Sequence, residues 1–336
     1  MTILIPSYEP DSRLIALIHK LHEVSDASIL VVDDGSGEEY RAIFDSAKEA
    51  GCTVLTHSIN QGKGSALKTG FDYIRQYGND DGVVCADSDG QHLPGDILRL
   101  TKAVREHRNH IVLGSRQFTG KVPLRSRIGN SATRMVYTLA TGMPIQDTQT
   151  GLRGYSSDML DWLCQIPGDR FEYEMNMLLE APSVGYDLIE VPIDTIYLDD
   201  NKSSHFRPLA DSARVYFPFL KFCASSGFAA ILDFMLLLLL QWMTSNLLVS
   251  VIGSRLCSSI FNYVMNRKFV FAKRNGTVIR KSVLRYFSLV TVILLLNYGL
   301  LHLFHDNIGI PLIAAKLLTE ALLFSFSYWA QRKFVY

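Results

Sequence analysis

Acidic and amide side chains alternate directly after an apolar run in the first half of the chain. The segment reads GVVCADSDGQH, and Asp87, Asp89 and Gln91 occupy every second position after the run. In an extended segment these positions point to one side, so three oxygen-bearing groups can converge. A solvated turn would supply acidic residues but not their alternation. Because hard cations prefer such oxygens, the pattern predicts a site for Mg²⁺ or Mn²⁺, which completes its shell with diphosphate oxygens.

A glycine-flanked lysine lies earlier in the chain, where a helix is predicted to begin. The stretch NQGKGSA places Lys63 at the start of that helix, but a P-loop would need glycine where the chain has His57. The free amide groups and dipole of a helix N-terminus, together with an ammonium, favour a phosphate ligand. A plain helix cap is the alternative interpretation of this short motif.

Alternating strand-like and helix-like patterns position these motifs. Strands are predicted in TILIPSY, SILVVDD, CTVLTH, GVVCAD and HIVLGS, and helices over Ser12–Val24, Gly37–Ala50, Lys63–Tyr77 and Pro94–His107. The alternation predicts an α/β domain with a parallel-dominated mixed sheet and helices on both faces. Ligands bind at the carboxyl ends of strands in such sheets, which is where the polar motifs fall.

Long apolar runs dominate the chain after Phe217. Four segments are each near the ~20 residues that cross a bilayer as a helix, at about 219–241, 247–265, 283–304 and 311–330. Basic residues precede the first segment, crowd the loop between the second and third and follow the last, which predicts that both termini are cytosolic. NRKFVF, after the second segment, recurs as QRKFVY after the fourth, so the region resembles two copies of one hairpin of about 65 residues.

Ionisable residues lie inside these apolar segments. Asp233 and Arg255 fall at similar depth in the first two segments, and Lys316 and Glu320 lie in the fourth. Charges within a bilayer are costly unless they are paired or face water. We therefore predict a contact between Asp233 and Arg255, with separate solvation of each charge as the alternative.

Composition narrows the class of protein. The 336 residues include 33 basic and 33 acidic residues, so no nucleic-acid partner is expected. The five cysteines are scattered without the spacing of a zinc site. The N-terminal MTILIPSY lacks the basic and apolar regions of a secretory signal, so the first domain is expected to stay in the cytosol.

The ordered motifs PSYEP, VDDGS, NQGKGSALKTG, DSDGQH, GSR and DTQTGLRGY resemble those of family 2 glycosyltransferases with the GT-A fold. The similarity is greatest to dolichyl- and undecaprenyl-phosphate hexose synthases, and it extends from Met1 to about Tyr216. The later segments resemble the four-helix GtrA family. The expected organisation is a GT-A nucleotide-sugar domain at 1–204, an amphipathic juxtamembrane segment at 205–218 and an all-α transmembrane domain at 219–336.

The resemblance implies roles for matching positions. The expected nucleoside ligands are Pro6, Tyr8 and Asp33 or Asp34, while Lys63 and Gly64 are expected near the ribose or diphosphate. The cation ligands would be Asp87, Asp89 and Gln91, with Asp89 also counted as catalytic. The expected acceptor-phosphate ligands are Arg116, Arg127, Lys202 and Arg207. Asp147 and Arg153 either line the acceptor side or form a buried pair, and His205 either contacts the acceptor or packs near the membrane.

The sequence thus predicts an inverting transfer of a hexose from a UDP- or GDP-sugar to undecaprenyl or dolichyl phosphate. The enzyme is expected to be an integral protein of a prokaryotic plasma membrane, with its catalytic domain in the cytosol. A transport protein for lipid-linked sugars, with a regulatory glycosyltransferase-like domain, is the alternative. A processive polysaccharide synthase is disfavoured because the Q-x-x-R-W string is missing. The sugar, the base, the lipid length and homo-oligomerisation stay open.

Overall fold

The computed structural model describes residues 1–78, 81–116, 124–141, 143–194, 208–270 and 279–335, although some helical side chains within these ranges are outside the description. The chain divides into two compact units. The first contains Met1–Tyr137 and Pro144–Val215, and the second contains Thr138–Met143 and Tyr216–Tyr336. The main division therefore falls inside the segment 205–218 that the sequence analysis assigns to the membrane boundary.

A mixed sheet forms the centre of the first unit. Within the described residues its seven strands are β1 (Thr2–Ser7), β2 (Ser28–Asp33), β3 (Thr53–Thr56), β4 (Val83–Cys85), β5 (His110–Arg116), β6 (Arg153–Tyr155) and β7 (Asp187–Ile193). Their order is β3-β2-β1-β4-β6-β5-β7. Strand β6 runs antiparallel to β4 and β5, and the other neighbouring pairs are parallel. This confirms the predicted parallel-dominated mixed sheet.

Helices connect the strands of this unit. They are α1 (Ser12–Val24), α2 (Arg41–Glu49), α3 (Lys63–Tyr77), α4 (Pro94–Glu106), α5 (Leu124–Thr141), α6 (Leu160–Gln165) and α7 (Glu172–Glu180). The observed bounds of α1 and α3 are those predicted from the sequence. Helix α2 begins later than predicted because Glu38–Tyr40 form a 3₁₀ turn.

The core lies between the sheet and its helices. Ile3 and Ile5 of β1 are fully buried, as are Leu14 and Ile18 of α1, which belong to the same apolar cluster. Parallel strands covered on both faces are expected to be apolar along their length, as β4 and residues 3–6 of β1 are. A methyl group at Gly70 of α3 would lie 2.3 Å from a Leu4 methyl carbon, so α3 packs closely against β1.

Strand β6 was not predicted. It pairs Arg153 with Cys85 of β4 and with Leu113 of β5, so it fills the place between two strands that would otherwise be neighbours. Residues 147–152 directly precede β6 and lie at the edge of the sheet where β4 ends. The tertiary arrangement thus brings the DTQTGLRGY motif to the DSDGQH motif.

The second unit is helical. Its long helices are α8 (Pro208–Thr244), α9 (Leu247–Met265), α10 (Ile279–His302) and α11 (Leu312–Ala330), and residues 208–215 of α8 still belong to the first unit. Three π-helical turns lie at Asn266–Val270, Leu303–Asn307 and Gln331–Val335. The two copies of the predicted repeat both form such a turn. Their first residues meet, because the Asn266 side-chain amide donates to Gln331 Oε1 at 2.9 Å.

One segment in the described part of the second unit, Leu220–Thr244, is long and apolar enough by length and composition to cross a membrane. The predicted ion pair within this unit is confirmed: Arg255 Nε lies 3.5 Å from Asp233 Oδ2. Ser258 also donates to Asp233 Oδ1 at 3.1 Å. The side chains of Lys316 and Glu320 lie outside the described part of the chain.

Candidate active site

Three charged side chains meet where α3 begins and β4 ends. Lys63 is the first residue of α3 and follows Gly62, whose φ of +106° suits glycine. Its Nζ lies 2.7 Å from Asp87 Oδ1 and 3.1 Å from Glu174 Oε1. Asp87 follows β4 closely and Glu174 belongs to α7, so two distant parts of the chain hold one ammonium. In the sequence, Glu174 is open to two interpretations, a contact to sugar hydroxyls or a structural residue.

The mutual attraction of these groups outweighs the effect of burial on their charges. Burial alone would lower the pKa of Lys63, but Asp87 and Glu174 raise it above its ordinary value. Burial would also raise the pKa of Asp87, but Lys63 and then His92 hold it well below its usual range. Lys63 and Asp87 therefore both stay charged at neutral pH.

Asp89 lies beside this pair in a different electrostatic setting. Burial and then the charge of Asp87 raise the pKa of Asp89. Asp89 Oδ1 accepts the Gln91 backbone N–H at 3.0 Å, and the Gln91 side chain is buried. His92 Nε2 lies 3.3 Å from Asp87 Oδ2, so His92 contacts the Asp87 carboxylate directly.

The DSDGQH segment fits a divalent cation. Its donors are two carboxylates and an amide oxygen, the ligands that hard cations prefer. The charge of Asp87 disfavours ionisation of Asp89, and a bound cation would offset this repulsion. Gly151 leaves room beside them, since a Cβ at this position would lie 2.1 Å from Asp87 Oδ2. In the described part of the chain no three His, Cys, Asp or Glu side chains form a metal cluster. A cation here would therefore need the amide of Gln91 and oxygens from a ligand.

The residues predicted for the nucleoside lie at the ends of β1 and β2. Tyr8 follows β1, and its pKa is raised by a hydrogen bond with Glu9 and by burial. Asp33 Oδ1 accepts the Ser36 backbone N–H at 2.9 Å. Pro6 pairs with Val32 in the register of β1 and β2, which brings these segments to one edge of the sheet.

Asp34 fixes the loop that leads to Lys63. Its Oδ1 accepts the Gln61 N–H at 3.0 Å, and its Oδ2 accepts the Gly62 N–H at 2.7 Å. His57 Nδ1 is 2.8 Å from Asp34 Oδ1, and His57 Nε2 is 2.9 Å from Thr69 Oγ1. A carboxylate only accepts, so the His57 Nδ1–H donates to Asp34. Sequence reasoning treated His57 only as the residue that breaks a P-loop pattern.

The predicted alternative of an Asp147–Arg153 pair is wrong. Asp147 is fully buried and pairs with Arg116 at the end of β5, with 2.5 Å between Arg116 Nε and Asp147 Oδ2 and 2.9 Å between Arg116 Nη2 and Oδ1. The Arg153 guanidinium instead donates to the carbonyl groups of Thr148, Thr150 and Glu174. The backbone before β6 turns the Thr148 and Thr150 carbonyls toward Arg153. Helix α7 supplies the Glu174 carbonyl and also its carboxylate, whose Oε1 lies 3.8 Å from Arg153 Nε.

The remaining predicted site residues lie in three different parts of the chain. Gly64 packs against α7, where a Cβ would lie 2.6 Å from the Tyr173 Cβ. The backbone of Arg127 belongs to α5, but its side chain lies outside the description. Lys202, His205 and Arg207 fall outside the described residues, so their predicted acceptor contacts stay predictions.

Two known families match most of the chain between them. Residues 2–160 match the profile of Glycosyl transferase family 2, and residues 221–336 match that of the GtrA/DPMS transmembrane domain. An uncharacterized protein of Methanocaldococcus jannaschii is 31% identical over 206 residues, which are 60% of this chain and 83% of that protein.

Two further relatives have assigned activities. The UDP-N-acetylglucosamine–dolichyl-phosphate N-acetylglucosaminyltransferase of Methanococcus voltae is 28% identical over 59% of this chain and 86% of its own. The undecaprenyl-phosphate mannosyltransferase of Micrococcus luteus is 29% identical over 56% of this chain and 81% of its own.

The mixed sheet, the polar groups along its edge and these matches define a GT-A glycosyltransferase joined to a helical membrane domain. The chain belongs to glycosyl transferase family 2, and its C-terminal part is a GtrA/DPMS transmembrane domain. The family, fold class and enzyme class expected from the sequence are thereby confirmed, and the chain is a membrane protein.

Proposed function

We propose that this enzyme transfers a hexose from a UDP- or GDP-linked sugar to a polyprenyl phosphate at the cytosolic face of the membrane. The observation that carries the proposal is the joint placement of Lys63, Asp87 and Asp89 at the carboxyl edge of the sheet. Lys63 offers an ammonium to a diphosphate, and Asp87 and Asp89 offer oxygen donors to a cation. The named activities of the two relatives, on dolichyl and undecaprenyl phosphate, support the lipid acceptor.

The donor half of the site binds and orients the nucleotide sugar. Pro6, Tyr8 and Asp33 line the nucleoside end, while Lys63 and the backbone of Gly64 face the diphosphate. Asp87, Asp89 and Gln91 would hold Mg²⁺ or Mn²⁺, and the cation would neutralise the charge that develops on the leaving diphosphate. Asp34 contributes indirectly, because it accepts hydrogen bonds from the backbone that leads to Lys63.

The acceptor half neutralises and aims a phosphate. A phosphate monoester has a second pKa of about 6, so it is substantially ionised at neutral pH and needs no strong general base. Arg116 can orient it, because Asp147 fixes the plane of that guanidinium. Arg127, Lys202, His205 and Arg207 are proposed as further acceptor ligands. A single displacement at the anomeric carbon inverts its configuration.

The domain organisation follows from the same proposal. We assign the catalytic domain to 1–204, a juxtamembrane segment to 205–218 and four membrane spans to 219–336, with both termini in the cytosol of a prokaryote. The excess of basic residues in the loops on one side supports this orientation. Fluorescent protein fused after Tyr336 should fluoresce in cells, and alkaline phosphatase fused there should be inactive. The reverse result would overturn the assigned orientation.

Single-turnover transfer tests the function directly. Detergent-purified protein is mixed with undecaprenyl phosphate, Mg²⁺ or Mn²⁺ and each of a panel of labelled UDP- and GDP-sugars. We expect one glycolipid that forms only with metal, and a loss of at least about a hundredfold in Asp89→Asn. The control Asp45→Asn removes a carboxylate from the exposed surface of α2 and should keep its activity. A folded protein that makes no product from any donor would refute the proposal.

The second candidate is transport of a lipid-linked sugar. The Asp233–Arg255 ion pair within the second unit favours it, because ionisable groups inside membrane segments commonly mark transport pathways. Movement of a labelled lipid-linked sugar across proteoliposomes, without any transfer activity, would support this candidate over the first.

A further inference from the structure

The Lys63 ammonium pairs with Asp87, which is also a proposed ligand of the cation. Lys63 Nζ is 2.7 Å from Asp87 Oδ1, and only 18% of the Lys63 side chain is exposed. Salt screens such a partly buried charge poorly. An ammonium and a divalent cation on one carboxylate therefore repel each other strongly. Both can occupy the site only if the ammonium has another partner.

Glu174 is that partner in this structure. Its Oε1 lies 3.1 Å from Lys63 Nζ and 3.8 Å from Nε of the buried Arg153, and 12% of its side chain is exposed. The helix that carries Glu174 is held against α3, because Gly64 allows close contact with Tyr173 and the Ser65 N–H donates to the Asp169 carbonyl at 3.0 Å. Glu174 thus stays within reach of the ammonium when Asp87 binds another cation.

We propose that Lys63 is a built-in competitor for the cation at Asp87, and that Glu174 is the positioning residue that holds the ammonium once the cation binds. This inference rests on the proposed function, because it concerns the same cation site. Its consequence is weak binding of a cation alone. An anionic nucleotide diphosphate would stabilise the cation and the ammonium together, so cation and donor bind cooperatively.

A lysine that only contacts the donor would behave differently. In that case, removing the ammonium would leave the affinity for a free cation unchanged. As a competitor, Lys63 instead weakens cation binding, so its removal should strengthen cation binding while it slows transfer. These opposite signs separate the two roles.

Mn²⁺ binding to the full-length, detergent-purified protein without substrate is the test, measured by electron paramagnetic resonance of free Mn²⁺. The variants are Lys63→Met, Glu174→Gln and the double variant, which removes one charge of each sign and so preserves the net charge. Lys102→Met is the control, since it removes one ammonium from the exposed surface of α4. Thermal unfolding of each variant reports whether it is folded.

We expect Lys63→Met to bind Mn²⁺ about tenfold more tightly and to transfer sugar more slowly. Glu174→Gln should bind Mn²⁺ about threefold to tenfold more weakly, because the ammonium then stays on Asp87. In the Lys63→Met background the same Glu174 substitution should have a much smaller effect. Lys102→Met should match the original protein.

Two results would overturn the inference while leaving the proposed function intact. One is normal Mn²⁺ binding and transfer by the original protein with no gain of affinity in folded Lys63→Met or in the double variant. The other is an equal loss of Mn²⁺ affinity on Glu174→Gln in the original protein and in Lys63→Met. Glu174 would then act on the cation directly through its charge and not by holding Lys63. No Mn²⁺ binding and no transfer by the original protein would instead overturn the proposed function itself.

Discussion

The contact between Gly151 and Asp87 shows how one missing side chain shapes the site. A Cβ at Gly151 would lie 2.1 Å from Asp87 Oδ2, and the φ of Gly151 is not in the left-handed region. Glycine is required here by space rather than by backbone conformation. The Asp87 carboxylate can lie against the backbone only because this position has no Cβ.

Gly151→Ala should therefore displace the Asp87 carboxylate. We expect Mn²⁺ affinity and transfer each to fall by at least about tenfold, since small displacements of a positioned group cost large factors in rate. Gly95→Ala is the matched control, because a Cβ at Gly95 meets nothing within 4 Å. Mn²⁺ titration and single-turnover transfer measure both effects. Equal behaviour of the two variants would show that Asp87 can move without loss.

The buried Arg116–Asp147 pair is a second feature at the residue scale. Asp147 has no exposed side-chain surface, and Arg116 is 12% exposed. Besides the guanidinium, Asp147 Oδ1 accepts the Gln149 N–H at 3.0 Å. The carboxylate therefore organises both the end of β5 and the loop before β6.

Asp147→Asn should destabilise the protein by about 3 kcal/mol, because it leaves the Arg116 charge without its buried counterion. A fall in the melting temperature of the full-length protein in detergent measures this loss. Asp161→Asn breaks the exposed Arg75–Asp161 pair and serves as the control, with an expected change within experimental error. A melting temperature for Asp147→Asn that equals the control's would contradict the structural role.

At the scale of elements, the loop between β3 and α3 depends on Asp34 and His57. Three groups of the loop converge on the Asp34 carboxylate, namely the Gln61 and Gly62 amides and the His57 ring. The loop ends at Gly62, directly before Lys63. The position of the Lys63 ammonium therefore depends on hydrogen bonds to Asp34, which follows β2.

Asp34→Ala and His57→Ala should both raise the KM for the nucleotide sugar, by about tenfold and about fivefold respectively, because each frees the segment that places Lys63. Steady-state kinetics at saturating lipid acceptor measure the change. The comparison also separates two roles of Asp34. A direct nucleoside contact would make only Asp34→Ala defective, and an unchanged KM in His57→Ala would refute the positioning role of the loop.

At the scale of the whole molecule, the catalytic unit is joined to a helical unit that contains its own charges. Arg255 Nε is 3.5 Å from Asp233 Oδ2, and the pair lies in the apolar part of α8 and α9. The Arg255 side chain is 75% exposed on the protein surface. If this surface faces lipid, Asp233 is the counterion that offsets the cost of the Arg255 charge.

Reversing one charge of this pair should lower the yield of folded protein. We expect Asp233→Arg and Arg255→Asp each to reduce membrane-inserted protein severalfold, because each places two like charges together in lipid. The double variant restores opposite charges and should recover most of the yield. Fluorescence-detected size-exclusion chromatography of the solubilised protein measures it. A double variant no better than either single variant would show that the two side chains are not coupled.

The sequence by itself determined the class of fold, the bounds of α1 and α3, the two-part organisation and the family. These features depend on information carried along the chain, namely residue periodicity, apolar runs and ordered motifs. It also predicted the Asp233–Arg255 contact, because depth in a membrane segment can be counted from its ends.

Only the tertiary structure decided which charged groups meet in the catalytic unit. Strand β6 has three residues, too few for a periodic signal, and its antiparallel entry brings Gly151 beside Asp87. It likewise decided that Asp147 pairs with Arg116 rather than Arg153, and that Glu174 shares Lys63 with Asp87. Periodicity reports burial and local conformation, whereas contacts between distant residues depend on the direction and register of strands.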